Sequence, residues 1–491
     1  MRVALHPAWT RGAVARATAR SAITFLWVLA LGATGAALVT LGGPDTGFLV
    51  LMALAALFAV VRMPGVVLAA LVLVPFYKAA VQPYMPVDIT MVLAALNVVQ
   101  VIPVLRDHRP RSWSNAGLVL WGAFGLLVLA SVLYAPDQRS AFSAAANFWG
   151  LVIVPITPAA LRCAPAPRHV REFLWTVFVM GVVVVVLGLN ELFTGGIAGG
   201  GTLVVLGSNT IAVGRAALVV PLLGLTYVLR ARIPGARAAM YVLTPAAFIV
   251  AIASGSRGPL LVLLAMGGLG LLDYFNRPQR PNWRLVTVLA GAGFAVLLLT
   301  IGSGLLPVQA VQRFSIFAGF VQGAVTSTPG TSPADTSSEA RVELFSVALT
   351  MFEEHPVQGW GVSSFATMSP SLAGSSGDAY PHNAVLQVAA ELGALGVIVL
   401  LGLVSLALAR RLPRGPTGIV RLLFVFFFLN AMVSGDILQD RMTWALLLLL
   451  LVADSVAAPE GDPSPARVPV FPGNADEGSP NAGRRSELVH A

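Results

Sequence analysis

PHNAVLQVAAELGALGVIVLL, residues 381–401, decides how this chain is read. From Ala384 the run stays apolar to about residue 409, longer than the ~20 residues that a membrane helix needs. Yet its first turns carry His382, Asn383, Gln387 and Glu391. Pro381 suits the first turn of a helix, where a missing N–H costs nothing. Asn383, Gln387 and Glu391 recur at i, i+4 and i+8 and so form one polar stripe on a single helix face. Polar groups inside a bilayer are costly and face a bundle interior or a wet cavity. The stripe is therefore expected to line a cavity open to one side, with His382 at its mouth. The structural alternative is that the amides join helices by hydrogen bonds and His382 is merely interfacial.

The rest of the chain has the composition of a membrane protein. Of its 491 residues 57% are hydrophobic and 11% charged, with a mean hydropathy of +0.82; soluble domains carry about 25% charged residues. Runs such as LVLWGAFGLLVLASVL and VTVLAGAGFAVLLLTIG approach or reach spanning length. The net charge of +9 lies in the connections between such runs, a distribution that argues against nucleic acid. Lys78 is the one lysine, and the single Cys163 excludes both a disulfide framework and a thiolate metal cluster. Among hydrophilic residues, no Asp-x-Asp or His-rich pattern for a divalent metal is evident, and no cofactor is implied.

Apolar runs place candidate spans near 21–41, 47–61, 64–82, 89–105, 114–134, 141–161 and 172–193. Others lie near 209–230, 238–254, 258–274, 285–306, 383–409, 417–434 and 441–456. The fold expected is an all-α, polytopic helical bundle of about 12–14 spans. Alternate connections are rich in arginine: RDHRPR, LRCAPAPRHVR, RARIPGAR, NRPQRPNWR and RRLPRGPTG. Short cytoplasmic loops carry the excess of Lys and Arg, which puts these inside, both termini cytoplasmic and the protein in the plasma membrane. The organisation expected is a basic leader (1–20), eleven spans (21–306), an external loop (307–382), three spans (383–456) and a disordered tail (457–491). Lys78, Arg139, Arg215, Arg257, Arg313, Arg341 and Arg441 then lie toward the outside, against the charge bias. Arg215 sits within a span and is a candidate for the substrate path.

The external loop has two characters. GAVTSTPGTSPADTSS (323–338) is dense in turn formers. After it, Leu344, Phe345, Val347, Ala348, Leu349, Met351 and Phe352 recur at helical spacing, predicting a helix near 341–354. His355-Pro356 ends it, and Gly359-Trp360-Gly361 permits a tight turn.

Three ordered segments carry a resemblance: ASGSRGPLLVLLAMGGLGLL (253–272), RVELFSVALTMFEEHPVQGWGVSSF (341–365) and PHNAVLQVAAELGALGVIVLL (381–401). Together they resemble the O-antigen ligase and polymerase family of membrane glycosyltransferases, over roughly residues 245–405. The resemblance implies a glycan donor carried on a polyprenyl diphosphate, a glycan or glycolipid acceptor, and chemistry at the outer face of the bilayer. By matching motif positions, it implies that Arg257 and Arg341 bind the diphosphate and that His382 serves near the acceptor, as base or as orienting group. The residue types suit that task, because guanidinium forks bind phosphate oxygens bidentately and stay charged. Helix capping or headgroup anchoring is the structural alternative for Arg257, and a surface ion pair for Arg341. Glu391 lies two turns deeper and is expected to orient polar neighbours. A transporter of small anions or sugars is the competing reading; an inactive assembly subunit is a third. Ligase and polymerase both remain open.

Overall fold

The computed structural model describes residues 59–60, 62–85, 87–106, 116–194, 203–231, 233–276, 336–373, 380–409 and 416–453. The leader, the candidate spans near 21–41 and 285–306, almost all of 47–61, the loop to residue 335 and the tail lie outside them. Among the described residues the fold is all-helical. The first part runs α1 (Pro64–Val81), α2 (Ile89–Val99), α3 (Val101–Arg106) and α4 (Ala116–Ser131). Next, α5 (Gln138–Phe148) passes through a widened turn, Trp149–Ile153, into α6 (Val154–Cys163). It continues with α7 (Pro167–Thr194), α8 (Thr210–Leu223), α9 (Ala236–Ala253) and α10 (Arg257–Asn276). The second part holds α11 (Thr336–Glu354), α12 (Ser364–Ala373), α13 (Ala384–Ala409), α14 (Pro416–Ser434) and α15 (Arg441–Ala453).

Eight helical stretches are long and apolar enough to cross a membrane, and Ala116–Ser131, Arg257–Gly267 and Arg441–Ala453 are shorter apolar helices. These eleven coincide with the candidate spans that fall on described residues. Three details differ from expectation. The helix predicted near 341–354 starts earlier, at Thr336, where Thr336-Ser337-Ser338-Glu339 supplies residues that favour a helix start. The span near 89–105 changes course at Gln100, whose Nε2 turns back to Asn97 Oδ1 at 2.9 Å. The span from residue 383 is broken at Gly393, which has φ 65° and ψ −164°.

Polar caps begin the helices: Asp88 Oδ1 accepts from Thr90 N at 2.7 Å, and Asp137 Oδ1 from Arg139 N and Ser140 N. Asn209 Oδ1 accepts from Ala212 N at 2.7 Å. Each satisfies N–H groups that a helix leaves over at its start. Apolar side chains such as Leu126, Val186, Val242, Leu264 and Ile398 remain exposed on the helix faces, as a lipid-facing surface requires. Between helices, association relies on close packing because lipid is as apolar as leucine. Gly181 illustrates this: a Cβ there would overlap the Ala216 carbonyl, so α7 and α8 meet backbone to backbone.

The connections separate to two ends. At one end Arg162 Nη1 donates to Val60 O at 2.8 Å and Arg168 Nη2 to Arg62 O, joining the start of α1 to α6 and α7. At the other end the segment after α4 meets the turn after α11, with Tyr134 Oη donating to Gln358 O at 2.8 Å. At this same end Leu203 N donates to Ala253 O, so the approach to α8 lies against the end of α9.

Aromatic rings hold the middle of the bundle. Trp444 of α15 lies 5.0 Å from Trp121, 5.1 Å from Phe124 and 5.8 Å from Phe148, ring centre to ring centre. Its Nε1 donates to Ile437 O at 2.6 Å, which ties the ring to the loop before its own helix. Trp444→Ala is expected to cost about 3–5 kcal/mol, the range for emptying a fully buried aromatic site. Thermal unfolding in detergent checks it; an unchanged midpoint contradicts it.

Candidate functional site

α14 ends at Ser434, and residues 435–440 lead on to α15. Side chains from distant parts of the chain meet at this helix end. Arg215, on α8, donates from Nη2 to Asn430 O at 3.2 Å and to Ser434 O at 3.0 Å. Its Nη1 lies 3.8 Å from Asp440 Oδ2. The last carbonyls of a helix lack intrahelical partners and form the negative end of its dipole. A buried guanidinium is well suited to that position. Arg341, on α11, reaches the same end through a long contact from Nη1 to Val433 O at 3.5 Å. Gly258, beside Arg257 at the start of α10, packs against the Val433 side chain. Arg215 and Arg341 therefore meet at one helix terminus, and the start of α10, which carries Arg257, packs against it; Arg257 and Arg341 are half-buried.

The spot also holds polar atoms without a hydrogen-bond partner among the described residues. Arg215 Nε, Asn430 Oδ1 and Ser434 Oγ are all buried and unsatisfied. Buried polar groups in folded proteins are paired with few exceptions, and each exception calls for an explanation. A polar ligand group received beside α14 is one such explanation.

His382 precedes α13 with a backbone φ of 55°, in the left-handed region that residues other than glycine seldom adopt. Backbone held in such a region clusters at functional sites. Its half-buried ring meets Tyr380 edge-on at 4.6 Å. Tyr380 in turn lies within electrostatic reach of Arg215.

The polar stripe behaves differently from expectation. Asn383 is the N-cap of α13, its Oδ1 accepting from Val385 N and Leu386 N at 3.0 Å each. Gln387 is buried and fully engaged: Nε2 donates to Asp436 Oδ1 and Oε1 accepts from Ile437 N, both at 3.0 Å. Glu391 is buried too, beside the backbone N–H groups of Ser363 and Phe365. The two deeper members therefore face protein and fasten neighbouring segments to α13. The physical reason is that an amide with both ends occupied satisfies the buried loop more cheaply than an open hydrated channel.

Several residues of this site escaped sequence reasoning. Asn430, Asp436 and Asp440 lie in or beside SGDILQDR, where the arginine is the residue that stands out. Two carboxylates in a connection of six residues between apolar helices were the available signal. Burial pushes the Asp436 carboxyl above its ordinary value, while the Gln387 amide pulls it the other way. Tyr380 stands two residues before His382, in a stretch with the composition of a loop. Of the lower-ranked basic residues, Lys78 pairs with Asp88, whose carboxyl that hydrogen bond holds down at about 2. Arg139 is exposed, Arg441 faces Asp88 and Tyr77, and Arg313 lies outside the described residues.

Residues 242–401, about a third of the chain, match the family model described as O-Antigen ligase. No curated protein matches the chain. The matched segment runs from α9 to the second half of α13 and so contains Arg257, Arg341 and His382. That segment is similar to the O-antigen ligases.

Gln387→Ala removes one donor from Asp436 Oδ1, which keeps Leu438 N, and leaves the buried Ile437 N–H without its acceptor. A buried donor left unsatisfied costs about 1–3 kcal/mol. The expected outcome is a thermal midpoint in detergent lowered accordingly, and an unshifted midpoint contradicts the clamp.

Proposed function

We propose, with the O-antigen ligase similarity of residues 242–401 as the premise, that the protein is a membrane glycosyltransferase. It transfers a glycan from a polyprenyl-diphosphate carrier to an acceptor glycan or glycolipid at the outer face of the plasma membrane. The observation that carries this reading is the meeting of Arg215 and Arg341 at the end of α14, with the start of α10 that bears Arg257 packed against the same end. Orientation follows from charge: Arg106, Arg162, Arg168, Arg171, Arg230 and Arg237 belong to connections at the opposite end, and short basic loops stay inside.

A glycosyl diphosphate already has a good leaving group, so the protein's task is to hold it and stabilise the charge that develops on departure. In this reading Arg257 and Arg341 take the diphosphate oxygens while the prenyl chain stays in lipid. The acceptor hydroxyl attacks the anomeric carbon, the bond from that carbon to the phosphate oxygen breaks, and polyprenyl diphosphate departs with the electron pair. His382 takes the hydroxyl proton or orients that hydroxyl. One direct displacement inverts the anomeric configuration. The arginines supply the counter-charge, so the transfer is metal-independent in this account. Arg215 has a structural duty: its Nη2 is spent on the α14 carbonyls of Asn430 and Ser434.

The test is reconstitution in proteoliposomes with a polyprenyl-diphosphate oligosaccharide and candidate acceptors, following release of polyprenyl diphosphate. Arg341→Ala, Arg257→Ala and His382→Ala are each expected to slow transfer by ~10²–10³-fold, the range for removing one group that stabilises transition-state charge. Lys78→Ala, whose partner is Asp88, is expected to leave transfer within a few-fold. Transfer that persists in Arg257→Ala and His382→Ala would contradict the assignments. Solute uptake into sealed vesicles without glycan transfer would favour a transporter.

A further inference from the structure

The break in α13 has a partner. In a continuous helix Ala394 N–H would bond to the Ala390 carbonyl and Leu395 N–H to the Glu391 carbonyl. Gly393 interrupts both rungs. The turn after α11 replaces them: Ala394 N donates to Pro356 O at 2.8 Å and Leu395 N to Val357 O at 3.3 Å. On the other side of the break, Trp360 N donates to Ala390 O at 3.0 Å and Gly361 N to Glu391 O at 2.8 Å. The two donors and two acceptors released by the break are all satisfied by residues 356–361.

Glycines make so close a fit possible. Gly393 occupies a φ, ψ combination that is essentially open to glycine alone. A Cβ there would overlap the Val357 carbonyl, and one on Gly359 would overlap the Glu391 carbonyl. The turn is in turn held from α4: Tyr134 Oη donates to Gln358 O, and Ser131 Oγ accepts from Val362 N at 3.0 Å. Trp360 Nε1 donates back to Met351 O at 3.1 Å, and its ring meets His355 at 4.2 Å. Below the turn, Leu344, Val347, Ala348 and Met351 of α11 share an apolar layer with Phe365 and Ala390.

We propose that this latch is a positioning device for the reaction, an inference that rests on the glycosyltransferase reading above. It makes Ala384–Leu392 a half-helix whose direction is set by the turn rather than by the rest of α13. His382 stands at the head of that half-helix, and Arg341 stands on the helix that runs into the turn. Gly359, Gly361 and Gly393 are positioning residues, because they fix His382 relative to Arg341 without touching substrate. Opening the latch displaces the group that serves the acceptor while leaving the diphosphate ligands on α10 and α11.

The experiment uses the full chain in nanodiscs. Three quantities are read: turnover, affinity for the polyprenyl-diphosphate oligosaccharide, and thiol labelling of an Ala390→Cys background. Ala390 is fully buried beneath the turn, and the native Cys163 is buried. Gly393→Ala is expected to lower kcat by ~10²-fold, as misplaced catalytic geometry does, with donor affinity within threefold and labelling of the introduced thiol raised. Tyr134→Phe, which keeps the ring and removes one bond to the turn, is expected to lower kcat by ~5-fold with donor affinity unchanged. Gly122→Ala, which adds a methyl in open space, is expected to leave all three readings as they are. A Gly393→Ala protein that keeps its turnover, or that loses donor affinity in step with turnover, overturns the proposal. If the unaltered chain transfers no glycan, the glycosyltransferase reading fails. Labelling still reports the latch: protection that persists in Gly393→Ala overturns it, and exposure supports it.

Discussion

Backbone groups released in a buried stretch of helix must find partners, because no water reaches them there. That constraint shapes the second part of this chain. A helix broken at Gly393 is tolerated only because residues 356–361 supply two acceptors and two donors at the break. The same insertion is bound to the end of α4 through Tyr134 and Ser131, while α11 keeps its own apolar layer of Leu344, Val347, Ala348 and Met351. From one unmet backbone requirement follow the direction of the half-helix and the place of His382.

The second organising feature is the charge at the end of α14. Helix carbonyls at a C-terminus attract cations, and here Arg215 and Arg341 answer from separate helices. Arg215 is held by both kinds of partner, carbonyl and carboxylate, since its guanidinium also lies 3.8 Å from the Asp440 carboxylate.

Much of the fold was legible in the sequence because bilayer thickness imposes a length on apolar runs. The spans from Pro64 onward that fall on described residues were all visible as such, and alternating arginines in the connections sorted them to two ends. His382 was legible as a polar residue at the head of an apolar run, whereas Arg257 and Arg341 stood out from the other outward basic residues only through the family resemblance. Contacts that depend on backbone were not legible. Gly393 reads as an ordinary glycine in an apolar run, and only the turn 356–361 gives its conformation a meaning. Asn383 looked like part of a stripe at helical spacing, but position one residue before a helix made it a cap. Asp436 and Asp440 were hidden by their apparent loop setting, since spacing along a chain says nothing about which distant amide will close on a carboxylate.

The claim on which the account turns is that residues far apart in the chain act on one substrate at one site. A double-mutant cycle of Arg341→Ala and His382→Ala, read as turnover on a polyprenyl-diphosphate oligosaccharide, tests it most directly. Groups that act as a unit are strongly non-additive. The account predicts a double variant scarcely slower than the worse single variant. Losses that multiply would mean that the arginine and the histidine work independently, and would contradict it.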